Sequence, residues 1–234
     1  MKIAVCWKWV SLDSDSEADP RWSGVSGADE AALELALTIA ERAPSSEVMV
    51  ISLGPPSADD VLREALAVGA SAVTRINAST QLDSRAVAVA LAQHLAGYDL
   101  VLCGDYSLDR GTGSVPAFLA GELASAQALG LLEVHPASAD AANTFRVLRR
   151  LDGGRREILE VTTPAVLSVE GSAASLRRAA LAASLSARTA AITVVTGPHG
   201  HLPEAEIHPY RPRARVVPAP AGGASVSSWC RPCC

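Results

Sequence analysis

The amino-acid sequence predicts an α/β fold built on a doubly wound, mainly parallel, Rossmann-like sheet. Three observations lead to this prediction. Short apolar runs alternate with segments of helical periodicity over residues 1–130, those runs are apolar on both faces, and glycines follow two of the helical segments. Strands that are buried on both faces and separated by helices are typical of a parallel sheet with helices on each side.

Five apolar runs are predicted to form the buried strands. They are residues 2–7, 47–53, 72–76, 99–103 and 165–169, and a short final strand is predicted at 191–195. Helices are predicted between them over residues 28–42, 57–68, 83–96 and 114–129. Asp29 and Glu30 stand where the dipole of the first helix favours acidic residues, while Gly69 and Gly97 end the second and third helices.

The pattern changes after residue 130. Residues 145–150 and 156–161 alternate with a period of two around Asp152-Gly153-Gly154, which predicts a β-hairpin over about 143–162. An Ala/Ser-rich loop follows over 171–190, and Pro, Gly and His dominate from residue 197 onward. We therefore predict one nucleotide-binding domain over residues 1–195 and an extended tail over 196–234.

Composition excludes several classes of protein. The 234 residues are 49% hydrophobic and 19% charged, which favours a packed core over disorder, and the net charge of −5 is the wrong sign for neutralising nucleic-acid phosphates. No apolar stretch reaches the ~18 residues of a membrane helix, so a soluble cytoplasmic protein without membrane insertion is expected. Cys6 and Cys103 are interpreted as buried thiols.

The cysteines of the tail, Cys230, Cys233 and Cys234, resemble half of a zinc site. The nearest further ligands are His199, His201 and His208 across a Pro-rich stretch. A loose tail with exposed thiols is the preferred interpretation, and no metal site is predicted.

The winding of the predicted sheet indicates where a ligand binds. If the strands lie in the spatial order 3-2-1-4-5, a crevice opens at the carboxyl ends of the first and fourth strands, where the winding reverses. The loops over about 8–27 and 104–115 would form its walls. The first is well above the usual ~2–6 residues of a strand-to-helix connection.

The second of these loops enters a helix as Gly111-Thr112-Gly113-Ser114. Backbone N–H groups, two hydroxyls and the helix dipole suit a phosphate there, and Arg110 and Asp109 stand beside them. A capped helix start is the alternative interpretation. The loop is neither a Walker loop nor a G-x-G-x-x-G motif. The sequence shows no nucleophile with its base, so we predict no catalytic residues and expect a structural or redox role rather than an enzyme.

Several stretches, in order and spacing, resemble one known family over about residues 1–195. They are residues 2–10, 29–34, 52–55, 62–70, 99–104, Asp109, 112–115, 151–154 and 163–167. The chain resembles the β subunit of electron transfer flavoproteins, and the resemblance implies a fold of the adenine nucleotide alpha hydrolase type.

The resemblance also implies a heterodimer with an α subunit that holds most of the FAD, with AMP or a second FAD in the β crevice. It places the nucleotide contacts of this chain at Cys6, at Ser26, Gly27, Ala28 and Asp29, at Leu53, and at Gly104 and Asp109 through Val115. It further implies that Leu181 docks a dehydrogenase that donates electrons.

Two departures from the family pattern stand out. Residues 26–29 are Ser-Gly-Ala-Asp where many members have Asn-Pro-Phe-Cys, and residues 184–189 lack the lysines that usually follow the docking leucine. The chain is therefore interpreted as a divergent, specialised member. A stand-alone adenine-nucleotide-binding protein of the universal-stress type is the alternative function.

Overall fold

The computed structural model of the chain describes residues 1–11, 23–43, 45–137 and 143–198. Over these ranges nine strands form one sheet: β1 (Lys2–Trp7), β4 (Glu47–Gly54), β5 (Ala72–Asn77), β6 (Leu100–Gly104), β7 (Ala126–Pro136), β8 (Thr144–Arg150), β9 (Arg156–Thr162), β10 (Ala165–Val169) and β11 (Thr193–Thr196). Two further short strands, β2 (Val10–Ser11) and β3 (Ser23–Gly24), pair with each other in the connection that follows β1.

The sheet is doubly wound, as predicted. Its order is β11-β5-β4-β1-β6-β10-β7-β8-β9, and the pairs from β11 through β7 are parallel. The chain winds outward from β1 to β4 and β5, and then returns to place β6 on the other side of β1. The predicted order of strands 3-2-1-4-5 is therefore confirmed, and the winding reverses between β1 and β6.

Helices cover both faces of the sheet. They are α1 (Gly27–Arg42), α2 (Asp59–Val68), α3 (Ser84–Leu95), α4 (Val115–Glu122) and α5 (Leu181–Ala187). α1 and α2 pack on the face that carries Ile3 and Val5, whereas α3 and α4 pack on the face that carries Ala4 and Cys6. Successive side chains of β1 point to opposite faces of the sheet and therefore contribute to two separate hydrophobic cores.

The predicted helix over 114–129 is wrong in its second half. α4 ends at Glu122, Ala124 takes a positive φ of 48°, and the Ser125 N–H donates to the Ala120 carbonyl. Residues 126–136 instead form β7, which pairs in parallel with β10. Ala and Leu are good helix formers, but intrinsic propensity contributes little energy per residue, and strand pairing with burial of Ala128 and Leu131 outweighs it.

The predicted hairpin is confirmed as β8 and β9, but it is not a separate appendage. β8 pairs antiparallel with β7, so the hairpin extends the main sheet and β9 forms one of its edges. The final predicted strand is β11, which pairs with β5 at the other edge.

Several sequence predictions lie partly or wholly outside the described residues. They concern the middle of the 8–27 loop, most of the 196–234 tail and the three cysteines at its end. Among the residues that the structure does describe, no helix has both the length and the apolar character needed to cross a membrane. No group of metal-ligating side chains occurs in the same part of the chain.

Candidate functional site

A cavity of about 470 Å³ lies at the carboxyl ends of β1 and β6, where the winding reverses. This volume falls within the ~300–1,000 Å³ typical of sites for small molecules and cofactors. The end of β4 and the loops after β1, β5 and β6 also line it. The topology therefore places the cavity where the predicted winding put the crevice.

The structure brings nine of the predicted nucleotide contacts together around this cavity. They are Cys6, Asp29, Leu53, Gly104, Asp109, Arg110, Thr112, Gly113 and Val115. Five others do not line the cavity themselves: Ala28, Gly111 and Ser114 are adjacent in the chain to lining residues, and Ser26 and Gly27 lie within three positions of Asp29. The contact of each with a nucleotide stays a prediction.

Asp29 lies at the base of the cavity and is only 5% exposed. It follows Ser26 in a capping box at the start of α1, and its carboxylate accepts hydrogen bonds from the Ser26 hydroxyl (2.9 Å) and the Gly104 N–H (3.3 Å). Its carbonyl oxygen accepts from the Trp7 indole N–H at 2.7 Å. Burial raises the pKa of Asp29 to about 6, although the hydrogen bonds act in the opposite direction.

Two glycines of the β6 loop are required by close packing of the protein itself. A Cβ atom on Gly104 would lie 2.7 Å from the Asp29 carboxylate, and a Cβ atom on Gly113 would overlap the Asp105 carbonyl oxygen. The Gly113 backbone thus folds back onto the start of its own loop. A side chain at Gly113 would displace the loop whether or not a ligand is bound.

The end of the same loop presents backbone N–H groups. The loop closes on itself through the Ser107 N–H to the Thr112 carbonyl (3.0 Å) and the Gly111 N–H to the Ser107 carbonyl (2.8 Å). Among the described residues, the N–H groups of 112–115 meet no backbone acceptor, and no side chain caps α4. The Ser114 hydroxyl donates instead to Ser84 at 2.9 Å. These N–H groups are therefore available to an anionic ligand.

Lys8 connects the two walls of the cavity. Its ammonium lies 2.5 Å from the Asp109 carboxylate, and both side chains are partly exposed. Burial raises the pKa of Asp109, but the hydrogen bond and the charge of Lys8 outweigh burial and hold the pKa below its ordinary value. Lys8 was not among the predicted site residues, although it directly follows β1 at the predicted crevice.

Arg110 connects the β6 loop to the loop after β5. Its guanidinium donates to the carbonyls of Leu82 (2.7 Å) and Thr80 (2.9 Å), and its Nε atom lies 3.9 Å from Asp109. The two carbonyl acceptors are uncharged, so they leave the positive charge of Arg110 in place at the cavity. The sequence reasoning missed the 80–84 loop, which the topology could have revealed because β5 ends at the same edge as β1 and β6.

Apolar side chains form another part of the lining. Leu53, Val87 and Leu91 come from β4 and α3, Trp7 is the last residue of β1, and Trp9 follows two positions later. Both tryptophans are buried and both line the cavity. An apolar wall facing a polar loop suits a ligand with one flat apolar end and one anionic end.

The predicted docking residue, Leu181, does not line the cavity. It begins α5 with 76% of its surface exposed, and Leu185 on the same short helix is 53% exposed. The preceding segment is fixed to α1 because the Arg177 guanidinium and its N–H both bind the Glu34 carboxylate (2.9–3.2 Å). Burial raises the pKa of Glu34, but the contact with Arg177 outweighs burial and lowers the pKa overall.

A family profile and individual relatives both connect this chain with electron transfer flavoproteins. Residues 22–199 match the family profile described as the electron transfer flavoprotein domain. The chain is 30% identical over 181 residues to the electron transfer flavoprotein subunit beta of Syntrophomonas wolfei subsp. wolfei, which covers 72% of this chain and 69% of that relative.

Two further relatives carry other names. The caffeyl-CoA reductase-Etf complex subunit CarD of Acetobacterium woodii is 30% identical over 182 residues, covering 72% of this chain and 68% of CarD. Protein FixA of Azorhizobium caulinodans is 29% identical over 173 residues, covering 70% of this chain and 60% of FixA.

Proposed function

The chain belongs to the electron transfer flavoprotein family as a member of β-subunit type, and from that premise we propose that it carries electrons from a dehydrogenase to a downstream acceptor. In this proposal it works as a heterodimer with an α-type subunit that holds most of the FAD. An adenine nucleotide, AMP or a second FAD, occupies the cavity between β1 and β6. The chain is an electron carrier in this account and has no hydrolytic or transferase role of its own.

The run of free N–H groups at 112–115 is the observation that carries the proposal. Residues 112–114 directly precede α4 and Val115 is its first residue, so the positive end of the helix dipole adds to the attraction of these N–H groups for an anion. Lys8 and Arg110 add two positive side chains at the same cavity, and Asp109, which contacts both, compensates one of the two charges. A phosphate bound there would accept backbone hydrogen bonds at the 112–115 end and lie within the field of both cations.

The remaining lining suits the rest of an adenine nucleotide. Leu53, Val87 and Leu91 offer apolar surface for a flat base, at the side of the cavity formed by β4 and α3. Asp29 places a carboxylate at the base of the cavity, where it can accept hydrogen bonds from ribose hydroxyls. FAD contains the same adenylate portion, so the cavity residues alone favour neither ligand.

Docking of the electron donor is proposed at α5. Leu181 and Leu185 expose apolar surface that no described part of the chain covers, and the clamp between Arg177 and Glu34 holds the start of this segment. The relative CarD is named as a subunit of a caffeyl-CoA reductase–Etf complex. A comparable association with a dehydrogenase is proposed for this chain.

The test is to co-express the chain with an α-type subunit, purify the complex and identify the adenine nucleotide released on unfolding by mass spectrometry. We expect AMP or FAD in the β subunit, in near-stoichiometric amount. We expect Lys8→Met to reduce the affinity for AMP at least ~10-fold, because a charged hydrogen bond contributes about 1.5–3 kcal/mol.

The matched control is Arg155→Met, which removes a positive charge from the exposed turn of the hairpin. Its affinity for AMP should stay at the wild-type value. A colourless homodimer that binds a nucleotide without an α-type partner would favour the universal-stress alternative. Absence of any adenine nucleotide from the complex, together with no titratable binding of AMP, would contradict the proposal.

A further inference from the structure

Two cysteines face each other across the pair of strands that forms the base of the cavity. Cys6 of β1 and Cys103 of β6 are direct register partners in the parallel ladder. Both side chains lie on the sheet face that α3 and α4 cover, together with Ala4 and Val101. The two thiols therefore point to the same side of neighbouring strands.

The cavity is the route by which a reagent reaches this pair. Cys6 is 8% exposed and Cys103 is 4% exposed, and both residues line the cavity. Both are free thiols. The hydrogen bond between the two thiols, followed by burial, raises the pKa of Cys103 well above its ordinary value, and the negative charge of Asp29 acts in the same direction. The low exposure of both side chains protects the pair from large reagents.

The strand geometry allows a disulfide. Neighbouring strands lie about 4.8 Å apart, and the Cα atoms of disulfide-bonded cysteines lie ~4.4–6.8 Å apart. Register partners on adjacent strands fall within that range, and both cysteine side chains lie on the same face of the sheet. Little backbone movement is needed to join them.

We propose that Cys6 and Cys103 form an oxidation site, at which a hydroperoxide that enters the cavity converts the two thiols into one disulfide linking β1 to β6. This site goes beyond the proposed electron-carrier function and does not depend on nucleotide binding. Its substrate class is a small hydroperoxide, because only a small molecule reaches the base of the cavity.

The reaction balances in two steps. One thiol gives up its proton as its sulfur attacks an oxygen atom of the hydroperoxide, the O–O bond breaks, and the other oxygen takes up that proton and leaves as water or an alcohol. The sulfenic acid that results is attacked by the second thiol, the S–S bond forms, and the hydroxyl leaves as water. The two sulfurs lose two electrons in total, and the peroxide gains them.

The experiment uses the full chain with Cys230, Cys233 and Cys234 changed to serine, so that two of the five cysteines remain. The folded protein is treated with hydrogen peroxide, quenched, unfolded and weighed by mass spectrometry. We expect both thiols to disappear together, with a mass loss of two hydrogen atoms, one cross-linked peptide pair containing residues 6 and 103, and full reversal by dithiothreitol.

The matched controls are Cys6→Ser and Cys103→Ser in the same background. Each leaves one thiol, so neither can form the internal disulfide, and circular dichroism identifies any variant that fails to fold. Two results would overturn the inference. One is a gain of oxygen atoms without cross-linking, at the same rate as in the single-cysteine variants; the other is persistence of both thiols under conditions that oxidise an exposed model dithiol.

Discussion

Replacement of Asp29 by asparagine tests the electrostatics at the base of the cavity. The carboxyl group is buried, and burial raises its pKa from 3.8 to about 6. Each pKa unit corresponds to about 1.36 kcal/mol, so the shift amounts to roughly 3 kcal/mol of pH-dependent stability. The amide of asparagine has the same shape and does not titrate.

The raised pKa of Asp29 determines whether the free energy of unfolding rises or falls with pH. The folded protein binds the Asp29 proton more tightly than the unfolded chain, so the group contributes full stability below its unfolded pKa of 3.8 and loses that contribution as the pH rises through about 6. The free energy of unfolding of Asp29→Asn, relative to wild type, should therefore rise by up to ~3 kcal/mol between about pH 4 and pH 7.

Urea unfolding of both proteins across this range measures the difference, and the other titrating groups cancel because both proteins contain them. Ser26→Ala provides a directional companion, because it removes a hydrogen bond that lowers the pKa of Asp29. The upper end of the transition should then move to higher pH. A difference between Asp29→Asn and wild type that stays constant with pH would refute the reasoning.

Three further predictions concern packing, loop geometry and the docking helix. Asp59→Asn should lower the free energy of unfolding by about 3–5 kcal/mol, because it removes the carboxylate 2.6 Å from the buried Arg75 guanidinium. The control is Asp60→Asn, at a position 86% exposed, which should lower the free energy of unfolding by under ~1 kcal/mol in the same denaturation assay. Gly113→Ala should displace the loop and lower AMP affinity at least ~10-fold in calorimetry, since its Cβ would overlap the Asp105 carbonyl oxygen, and unchanged binding would show that the loop adapts. Leu181→Ala should leave the free energy of unfolding within ~0.5 kcal/mol of wild type, because the side chain is 76% exposed. The same variant should slow electron delivery from the dehydrogenase in stopped-flow kinetics. Equal rates in the variant and the wild type would show that Leu181 is not part of the docking surface.

The sequence predicted the parallel core of the fold well for a physical reason. Strands such as 2–7 and 99–103 are buried on both faces, so their apolar runs are continuous and easily distinguished from the helices between them. The predicted reversal of winding between them then located the cavity. Residues that follow those strands, such as Asp109 and Thr112, were predicted for the same reason.

The errors arose where tertiary contacts override local preference. Residues 126–129 have the composition of a helix, but β10 provides a strand partner that the local sequence does not reveal. The 80–84 loop was missed because Arg110 binds its backbone carbonyl groups. Every residue has such a group, so the amino-acid sequence does not mark the contact. Lys8 was missed as a site residue because its partner, Asp109, lies 101 positions away in the chain.

Determination of the structure of the complex with its bound nucleotide tests the central claim most directly. We expect an adenylate in the cavity between β1 and β6, with phosphate oxygens within about 3.2 Å of the backbone nitrogens of residues 112–115. A nucleotide bound elsewhere in the complex, with this cavity filled by side chains of either subunit, would contradict it.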